Sequence, residues 1–272
     1  MKHLKVVLFV VISVFAQNAT AQDLKIVSFN IRYHSWNNID GENSWPNRKA
    51  AVARMIEEER PAAIGLQEAL ISQLQYLDSA LPGYQRVGVG RDDGKEGGEF
   101  MAIYYDTAQL EYVNDRTYWL SATPAVPSLG WDAACRRTVT VAFFLDRKTR
   151  KAFYYLNTHL DHVGKKARAE GARLIASEVS DRIPVVVGGD MNSTIDNAIF
   201  QSFYDVGLQV ARDMTTNTSR RDTYTGFGKD KPSLIDHFFV RGLTVKQFRT
   251  LDGDYGVPYI SDHYPIEIMV TL

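Results

Sequence analysis

The chain has 272 residues, of which 45% are hydrophobic and 11% aromatic, and its formal net charge is −1. This length and apolar content suffice for one large hydrophobic core. The nearly neutral charge disfavours a protein that grips long duplex DNA, because such proteins usually carry a basic excess or a basic stripe. Cys135 is the only cysteine, which excludes an intrachain disulfide and a cysteine-based zinc site.

The N-terminus has the pattern of a secretory signal peptide. Two lysines precede an apolar run over residues 6–16, and the small-residue motif Ala-Thr-Ala follows at 19–21. The run is too short to span a bilayer comfortably, and no later segment is long and apolar enough to do so. We therefore expect residues 1–21 to be removed and the rest to be exported, into the periplasm or outside the cell. Without a composition break, residues 22–272 are predicted to form one domain.

Strand and helix patterns alternate after residue 22. Apolar alternation or short β-branched runs predict strands over 24–30, 62–68, 100–105, 110–114, 138–145, 152–158, 184–187, 234–240 and 265–272. Helical spacing predicts helices over 46–59, 70–81, 165–179 and 198–204. Polar or Gly- and Pro-containing loops are expected at 33–45, 91–99, 123–135 and 215–232. Helices between groups of strands predict an α/β fold with at least one large, mostly antiparallel sheet.

The segment after the predicted strand at 184–187 carries the strongest chemical signal. Asp190 and Asn192 follow a glycine pair and point the same way if strand geometry continues. A carboxylate can take a proton from water, and a carboxamide can hold that water or a phosphoryl oxygen without adding charge. Turn formation or helix capping by these residues is the alternative. A calcium loop does not fit, since Ile195 and Gln201 stand where it needs Gly and Glu.

Polar side chains recur where the predicted strands end. Six strand ends or adjoining loops carry an acid, a carboxamide or an imidazole: Asn30, Glu68, His159 with Asp161, Asp190 with Asn192, Asp236 with His237, and Asp262 with His263. Each could instead be a turn residue, a helix cap or a buried histidine. Their repetition predicts a catalytic cleft at one edge of a sheet sandwich.

Six short motifs in order resemble those of the endonuclease/exonuclease/phosphatase superfamily of metal-dependent phosphoesterases. They are Ser28-Phe29-Asn30, Gly65-Leu66-Gln67-Glu68, Asn157-Thr158-His159-Leu160-Asp161, Gly189-Asp190-Met191-Asn192, Leu234-Ile235-Asp236-His237 and Ser261-Asp262-His263-Tyr264-Pro265. The similarity covers nearly all of residues 22–272. It is greatest to a branch of secreted bacterial proteins that loosely resemble the deadenylase-like members.

The resemblance implies a fold and a metal site. The fold would be a four-layer αββα sandwich, with two packed, mostly antiparallel sheets flanked by helices. Glu68 would bind Mg²⁺ or Mn²⁺ directly, with help from Asn30. Asp190 would orient or deprotonate the attacking water, and Asn192 would stabilise the pentacovalent phosphorus.

The resemblance also implies roles for the histidines. His159 and His263 would contact the phosphate. Asp262 would hold His263 in its tautomer and orientation, and Asp236 would orient a histidine in the same way, with His159 as the expected partner.

Four further residues are predicted to contact substrate at the rim of the cleft. Arg137 precedes a strand and suits a phosphate contact, although a surface ion pair is equally compatible. Asp161 and His162 follow His159 and would lie at the rim. Trp45, at the end of the predicted loop 33–45, could stack on a base or sugar, or pack within its own loop.

These observations predict an exported, Mg²⁺- or Mn²⁺-dependent phosphoesterase that uses direct attack of water. A phosphodiester, such as a nucleic acid fragment or nucleotide, is favoured, and a phosphomonoester of a sugar or inositol is the alternative. A non-catalytic binding protein on the same scaffold is the alternative of another class. The substrate would be a small phosphoester or a short nucleic acid. Long duplex DNA is disfavoured because residues 92–96 are acidic and polar where DNA-repair relatives carry basic loops.

Overall fold

The computed structural model describes residues 23–272. The predicted signal peptide, residues 1–21, lies outside the described residues. The strands are β1 (Asp23–Asn30), β2 (Ala63–Ala69), β3 (Tyr84–Val87), β4 (Phe100–Asp106), β5 (Leu110–Trp119), β6 (Thr138–Asp146), β7 (Ala152–His159), β8 (Val185–Asp190), β9 (Gln209–Val210), β10 (Asp236–Arg241), β11 (Thr244–Thr250) and β12 (Ile266–Thr271). The α-helices are α1 (Trp45–Glu59), α2 (Ile71–Ala80), α3 (Lys165–Ser177) and α4 (Gln201–Asp205).

The strands form two six-stranded mixed sheets. The first has the order β11-β12-β1-β2-β4-β3, and the second has the order β5-β6-β7-β8-β10-β9. Each sheet contains one parallel pair, β1 with β2 and β7 with β8, and all its other neighbours are antiparallel. Helix α1 connects the first parallel pair and α3 connects the second, as parallel strands require a crossover.

Three apolar clusters separate four layers. The central cluster lies between the sheets and includes Ile26 of β1 and Phe153 of β7. A second cluster joins α1 and α2 to the outer face of the first sheet, and a third joins α3 and α4 to the second sheet. The predicted αββα sandwich is therefore confirmed. No helix within residues 23–272 is long and apolar enough to cross a membrane.

The structure differs from the sequence prediction at the sheet edges. Strands β3, β9 and β11 were not predicted, and β5 runs to Trp119, beyond the predicted end at residue 114. All four are edge strands. An edge strand buries less of its surface and carries more polar residues, so its hydrophobic pattern is weaker than that of a central strand.

A buried polar network joins the two sheets near their centre. The Tyr155 hydroxyl of β7 donates to the Val27 carbonyl at 2.7 Å and accepts from the Gly65 amide at 3.1 Å. The Asn157 amide of the same strand donates to the carbonyls of Leu66 and Ala102, both at 2.9 Å. Because these bonds cross the sandwich, they fix how the strand ends of one sheet face those of the other.

Candidate active site

A cleft of about 550 Å³ lies at the edge where the parallel strands of both sheets end. Its lining residues are Arg32, Tyr33, Glu68, Arg91, Glu99, Cys135, Arg137, His159, His162, Asp190, Asn192, Tyr224, Ser233, Ile235, Asp262 and His263. The strand register explains the grouping, because His159 and Asp236 both pair with Asp190 on the neighbouring strands.

The glycine pair before Asp190 allows β7 and β8 to approach closely. A Cβ on Gly189 would lie 1.9 Å from the Thr158 carbonyl oxygen, and a Cβ on Gly188 would lie 2.5 Å from the Phe238 ring. Any side chain at residue 189 would therefore force β8 away from β7. This close approach brings Asp190 beside His159.

Asp190 is buried and held from several sides. Its Oδ1 accepts from the Asn192 backbone amide at 2.9 Å, and its Oδ2 accepts from the Asn30 side-chain amide at 3.0 Å. The Nε2 atoms of His159 and His263 lie 3.4 and 3.7 Å from the same Oδ2. Burial, and then the nearby charge of Asp236, raises the pKa of Asp190. A carboxylate with a raised pKa is a stronger base for a proton from water.

His263 is oriented by Asp236. Its Nδ1 lies 2.8 Å from Asp236 Oδ2, and both side chains are buried. Burial alone would lower the pKa of His263, but the charge and hydrogen bond of Asp236 outweigh it, so the pKa is raised. His263 is therefore an imidazolium at neutral pH, and Nδ1 donates to the carboxylate.

Two of the predicted pairings were wrong. Asp262 was expected to orient His263, but its Oδ1 accepts from the Ser261 hydroxyl at 3.1 Å, and its Oδ2 lies 3.9 Å from Arg32. Asp236 was expected to orient His159, but it contacts His263 instead. The reason is the strand order, because β8 lies between β7 and β10 and therefore separates Asp236 from His159.

His159 and Asn192 form a second contact at the base of the cleft. The Asn192 amide lies 2.9 Å from His159 Nε2 and donates to the Leu160 carbonyl at 2.9 Å. Asn192 adopts a left-handed backbone conformation with φ of 48°, which Asn tolerates better than most residues. Burial, with the charges of Arg137 and Arg91 adding to it, lowers the pKa of His159 well below its usual value. This imidazole is therefore neutral at neutral pH.

Glu68 projects into the cleft from an irregular point in β2. The pairing of β2 with β4 shifts between Leu66 and Ala69, and Glu68 has φ of 63°. Its Oε1 accepts from the Asn30 side-chain amide at 3.0 Å, and its Oε2 accepts from the Tyr33 backbone amide at 3.2 Å. Asn30 thus presents its nitrogen to both Glu68 and Asp190, while its oxygen accepts from the Arg32 amide at 3.0 Å. In this arrangement Asn30 holds the two carboxylates beside each other, and its part in metal binding stays a prediction.

The rim residues differ in their placement. Arg137 and His162 line the cleft, and the Arg137 Nη2 atom lies 3.0 Å from His162 Nδ1. Asp161 lies beneath them and is not a rim residue, because it is buried and its carboxylate accepts from three backbone amides and from Arg137. These bonds lower the pKa of Asp161 despite its burial. The substrate contact predicted for Trp45 is also wrong, because Trp45 begins α1 and is buried against Tyr76.

The sequence analysis did not identify several lining residues. Arg32, Tyr33, Arg91, Glu99 and Tyr224 belong to loops whose course is set by tertiary contacts. The sequence did contain a signal for two of them, Arg91 and Glu99, because they are the charged ends of the predicted Gly-rich loop 91–99. Residues far apart in sequence meet here only because both sheets direct their loops to one edge.

Arg48 of α1 supports the cleft from behind. Its guanidinium is 1% exposed and donates to the carbonyls of Asn43, Ile31, Arg32 and Ile260, at 2.8, 2.5, 2.8 and 3.0 Å. It therefore ties the segment after Asn30 to the segment before Asp262.

Comparison with known proteins assigns the family. The sequence profile of the Endonuclease/Exonuclease/phosphatase family matches residues 27–263. The chain belongs to this family. Its members are metal-dependent phosphoesterases, which makes the protein a phosphoric ester hydrolase and confirms the resemblance drawn from the six motifs.

Solved structures of the family are closely similar to this chain. The endonuclease/exonuclease/phosphatase from Bacteroides vulgatus is 33% identical, with a TM-score of 0.87, over 92% of this chain and 99% of that one. The mannosyl-6-phosphatase of Bacteroides thetaiotaomicron is 32% identical, with a TM-score of 0.86, over 92% of this chain and all of that one (100%). The human Nocturnin catalytic domain is 17% identical, with a TM-score of 0.70, over 93% and 97%, and this likeness shows the fold alone.

The cleft fits the divalent metal on which the family depends. Glu68, Asp190 and Asp262 all bring carboxylates to the cleft, and carboxylate oxygens are the ligands that Mg²⁺ and Mn²⁺ prefer. The buried group of Asp190, Asp236 and His263, whose ligand atoms lie within 4.8 Å of one another, could also hold an ion. In the structure that group is joined by the hydrogen bond between His263 and Asp236, so Glu68 is the more accessible ligand.

Proposed function

We propose that the protein hydrolyses phosphomonoesters of small hydroxylated alcohols, such as sugars, by direct attack of water. The observation that carries this proposal is the Asp190 carboxylate, held by Asn30 and the Asn192 amide beside two histidines in a cleft of about 550 Å³. A cleft of this size suits one small molecule. The similarity to a mannosyl-6-phosphatase over nearly the whole chain supports a sugar phosphate.

The reaction follows from the positions of these side chains. Asp190 takes a proton from a water molecule, whose oxygen attacks the phosphorus. The imidazolium of His263, kept charged by Asp236, lines the cleft beside Asp190 and stabilises the negative charge of a phosphoryl group bound there. The side-chain amide of Asn192 holds the neutral imidazole of His159 in place, because its nitrogen lies 2.9 Å from Nε2 and donates to the Leu160 carbonyl. The P–O bond to the alcohol breaks, the leaving oxygen takes up a proton from solvent, Asp190 releases its proton to solvent, and the products are the alcohol and inorganic phosphate.

Glu68 would hold the metal. When bound, Mg²⁺ or Mn²⁺ supplies a positive charge that neutralises the charge developing on the phosphoryl oxygens. Asn30 then keeps Glu68 and Asp190 at a fixed separation, because its amide donates to both at 3.0 Å.

The experiment compares p-nitrophenyl phosphate with bis(p-nitrophenyl) phosphate, in the presence of Mg²⁺, of Mn²⁺ and of EDTA. We expect metal-dependent release from the monoester. Release from the diester alone would overturn the monoester proposal in favour of the phosphodiester that the sequence favours. No release from either ester would favour a binding protein on this scaffold.

Asp190→Asn is the matched test of the mechanism. It should reduce turnover by at least about 10³-fold, because the amide cannot accept the proton from water. The control is Asp181→Asn, which alters a side chain that is 79% exposed and should leave turnover unchanged. Full activity of Asp190→Asn would contradict the mechanism.

We also propose that the protein is exported and that residues 22–272 form its catalytic domain. The support is the signal-peptide pattern of residues 1–21. Cell fractionation followed by N-terminal sequencing tests both points. A protein retained in the cytoplasm with residues 1–21 intact would contradict the proposal.

A further inference from the structure

A second group of charges lines the cleft beside the reacting residues. Arg91 and Glu99 are the first and last residues of the segment 91–99, which lies in the loop between β3 and β4. Their side chains form a bidentate ion pair, with Nη1 to Oε2 at 2.6 Å and Nη2 to Oε1 at 2.7 Å. The side chains are only 13% and 16% exposed, and both line the cleft. Among residues 23–272, the buried Arg91 Nε has no hydrogen-bond partner.

The loop that carries this pair is internally braced. The Arg91 amide donates to the Glu99 carbonyl at 3.0 Å, and the Trp119 indole donates to the Arg91 carbonyl at 2.6 Å. Inside the loop, the Asp93 carboxylate accepts from the amides of Lys95 and Gly97, both at 2.8 Å. The ion pair is therefore held in place before any ligand arrives, and a preorganised site loses less entropy on binding.

Neither stability nor phosphate binding explains the pair. Removing two charges from water costs free energy that a buried ion pair often fails to recover, so such pairs are weak evidence of stabilisation. A phosphate dianion would be repelled by the Glu99 carboxylate. Burial, and then the charge of Glu68, raises the pKa of Glu99, which is the effect expected when carboxylates crowd one cleft. The pair thus suits a neutral ligand.

Hydroxyl groups match the pair. A guanidinium donates hydrogen bonds and a carboxylate accepts them, so together they can bind the O–H groups of a sugar, each of which both donates and accepts. Arg137 lines the same cleft, and its charge acts against the raised pKa of Glu99 and adds to burial in lowering the pKa of His159, so it lies near both. The cleft wall therefore runs from the reacting groups to a site with both donors and acceptors.

We propose that the Arg91–Glu99 pair is a specificity subsite that binds hydroxyl groups of the leaving alcohol. This proposal rests on the proposed function, because it assigns the sugar part of the substrate to this wall and leaves the phosphoryl group to the residues around Asp190. It predicts that the enzyme distinguishes a hexose 6-phosphate from a phosphate ester without hydroxyl groups.

The kinetic test uses the double replacement Arg91→Gln with Glu99→Gln, which preserves the net charge. For hexose 6-phosphates we expect kcat/KM to fall about 10- to 100-fold, as for the loss of hydrogen bonds in a desolvated site. For p-nitrophenyl phosphate, which offers no hydroxyl groups to the pair, we expect a loss at least about tenfold smaller than that for the hexose 6-phosphates. The control is Arg86→Gln with Asp78→Asn, an ion pair at 2.9 Å between β3 and α2 whose residues do not line the cleft. Equal losses on both substrates, or no loss on either, would overturn the proposal.

A binding measurement separates this proposal from the reaction itself. Calorimetry with Mg²⁺ and the Asp190→Asn protein compares mannose 6-phosphate and glucose 6-phosphate with methyl phosphate. At least one hexose phosphate should bind about tenfold or more tightly than methyl phosphate, and the double replacement should remove this advantage. The single replacement Glu99→Gln serves if the double variant does not fold.

The outcomes of the two experiments are distinguishable. A hexose advantage that the replacement removes, without turnover of any monoester, would overturn the proposed reaction and support the subsite. Turnover of p-nitrophenyl phosphate without a hexose advantage in binding would overturn the subsite and support the reaction. A hexose advantage that survives the replacement would also overturn the subsite.

Discussion

One carboxylate sets the charge state of His263. Asp236 Oδ2 lies 2.8 Å from its Nδ1, whereas Asp262, the neighbour in sequence, is engaged by Ser261 and lies near Arg32. The imidazolium in turn faces Asp190. A single replacement at Asp236 should therefore alter the charge available to a phosphoryl group without removing a group that contacts it.

Asp236→Asn should lower the pKa of His263, because it removes the largest of the effects that raise this pKa. Turnover should fall as the imidazolium is lost. The pKa is measured by NMR titration of the imidazole protons in metal-free protein. Asp262→Asn is the matched control and should lower the pKa by less. A larger effect from Asp262→Asn would restore the pairing that the sequence suggested.

His237 gives the protein a stability that depends on pH. It is buried against Phe200 and Phe239, and its Nε2 lies 2.9 Å from the Ser193 carbonyl oxygen. Burial lowers its pKa to about 4. At low pH the unfolded chain therefore binds a proton at His237 more readily than the folded chain does. The contribution of His237 to the free energy of unfolding is intact above pH ~6.5 and is lost as pH falls towards ~4.

This loss is expected to reach about 3 kcal/mol of the free energy of unfolding at pH ~4. In His237→Gln the decline between pH 7 and pH 5 should be smaller than in the wild type, although the variant is less stable at pH 7. Urea unfolding at several pH values measures the difference. Parallel declines in the two proteins would contradict the assignment to His237.

At the scale of elements, the close pairing of β7 and β8 depends on Gly189, which has no side chain. His159 ends one of these strands and Asp190 ends the other, and their register pairs the two residues. A Cβ at Gly189 would lie 1.9 Å from the Thr158 carbonyl oxygen, which belongs to the backbone of the partner strand and cannot move alone.

Gly189→Ala should destabilise the protein by about 1–3 kcal/mol or more, as overpacking in a core does. Turnover of the folded fraction should also fall, because the strands separate where His159 and Asp190 meet. Thermal unfolding and steady-state kinetics measure the two effects. The control is Gly83→Ala, since a Cβ there would have no heavy atom within 4 Å. Similar stability of both variants would contradict the close-approach argument.

The same elements show what the sequence predicts and what it does not. The central strands were predicted because their apolar residues are buried on both faces, as in Val185–Asp190. The ends of these strands could then be located in the sequence, and the polar residues found there indicated the cleft. The edge strand Thr244–Thr250 gave no comparable signal, since its two apolar residues, Val245 and Phe248, are three positions apart rather than two. The partner of His263 depends on which strand pairs with β8, and the position of Trp45 depends on how α1 packs, and both are tertiary properties.

At the scale of the whole molecule, the cleft exists because two sheets are held in a fixed relation. Glu68 and Asn30 come from one sheet, and His159 and Asp190 from the other. Apolar packing between the sheets is not directional. The bonds of Tyr155 and Asn157 to the backbone of the opposite sheet are directional and therefore specify the register across the sandwich.

Tyr155→Phe tests this arrangement with the loss of one oxygen. The change leaves the Val27 carbonyl and the Gly65 amide buried without that hydrogen bond, at a cost of about 1–3 kcal/mol for each group. We expect a lower midpoint of urea unfolding and reduced turnover, because Asn30 and Asp190 depend on the alignment of the sheets. Tyr154→Phe, at a half-buried neighbour on the same strand, should change stability by less than about 0.5 kcal/mol. If Tyr155→Phe loses stability but keeps full turnover, the hydrogen bonds of Tyr155 are not what aligns the two sheets.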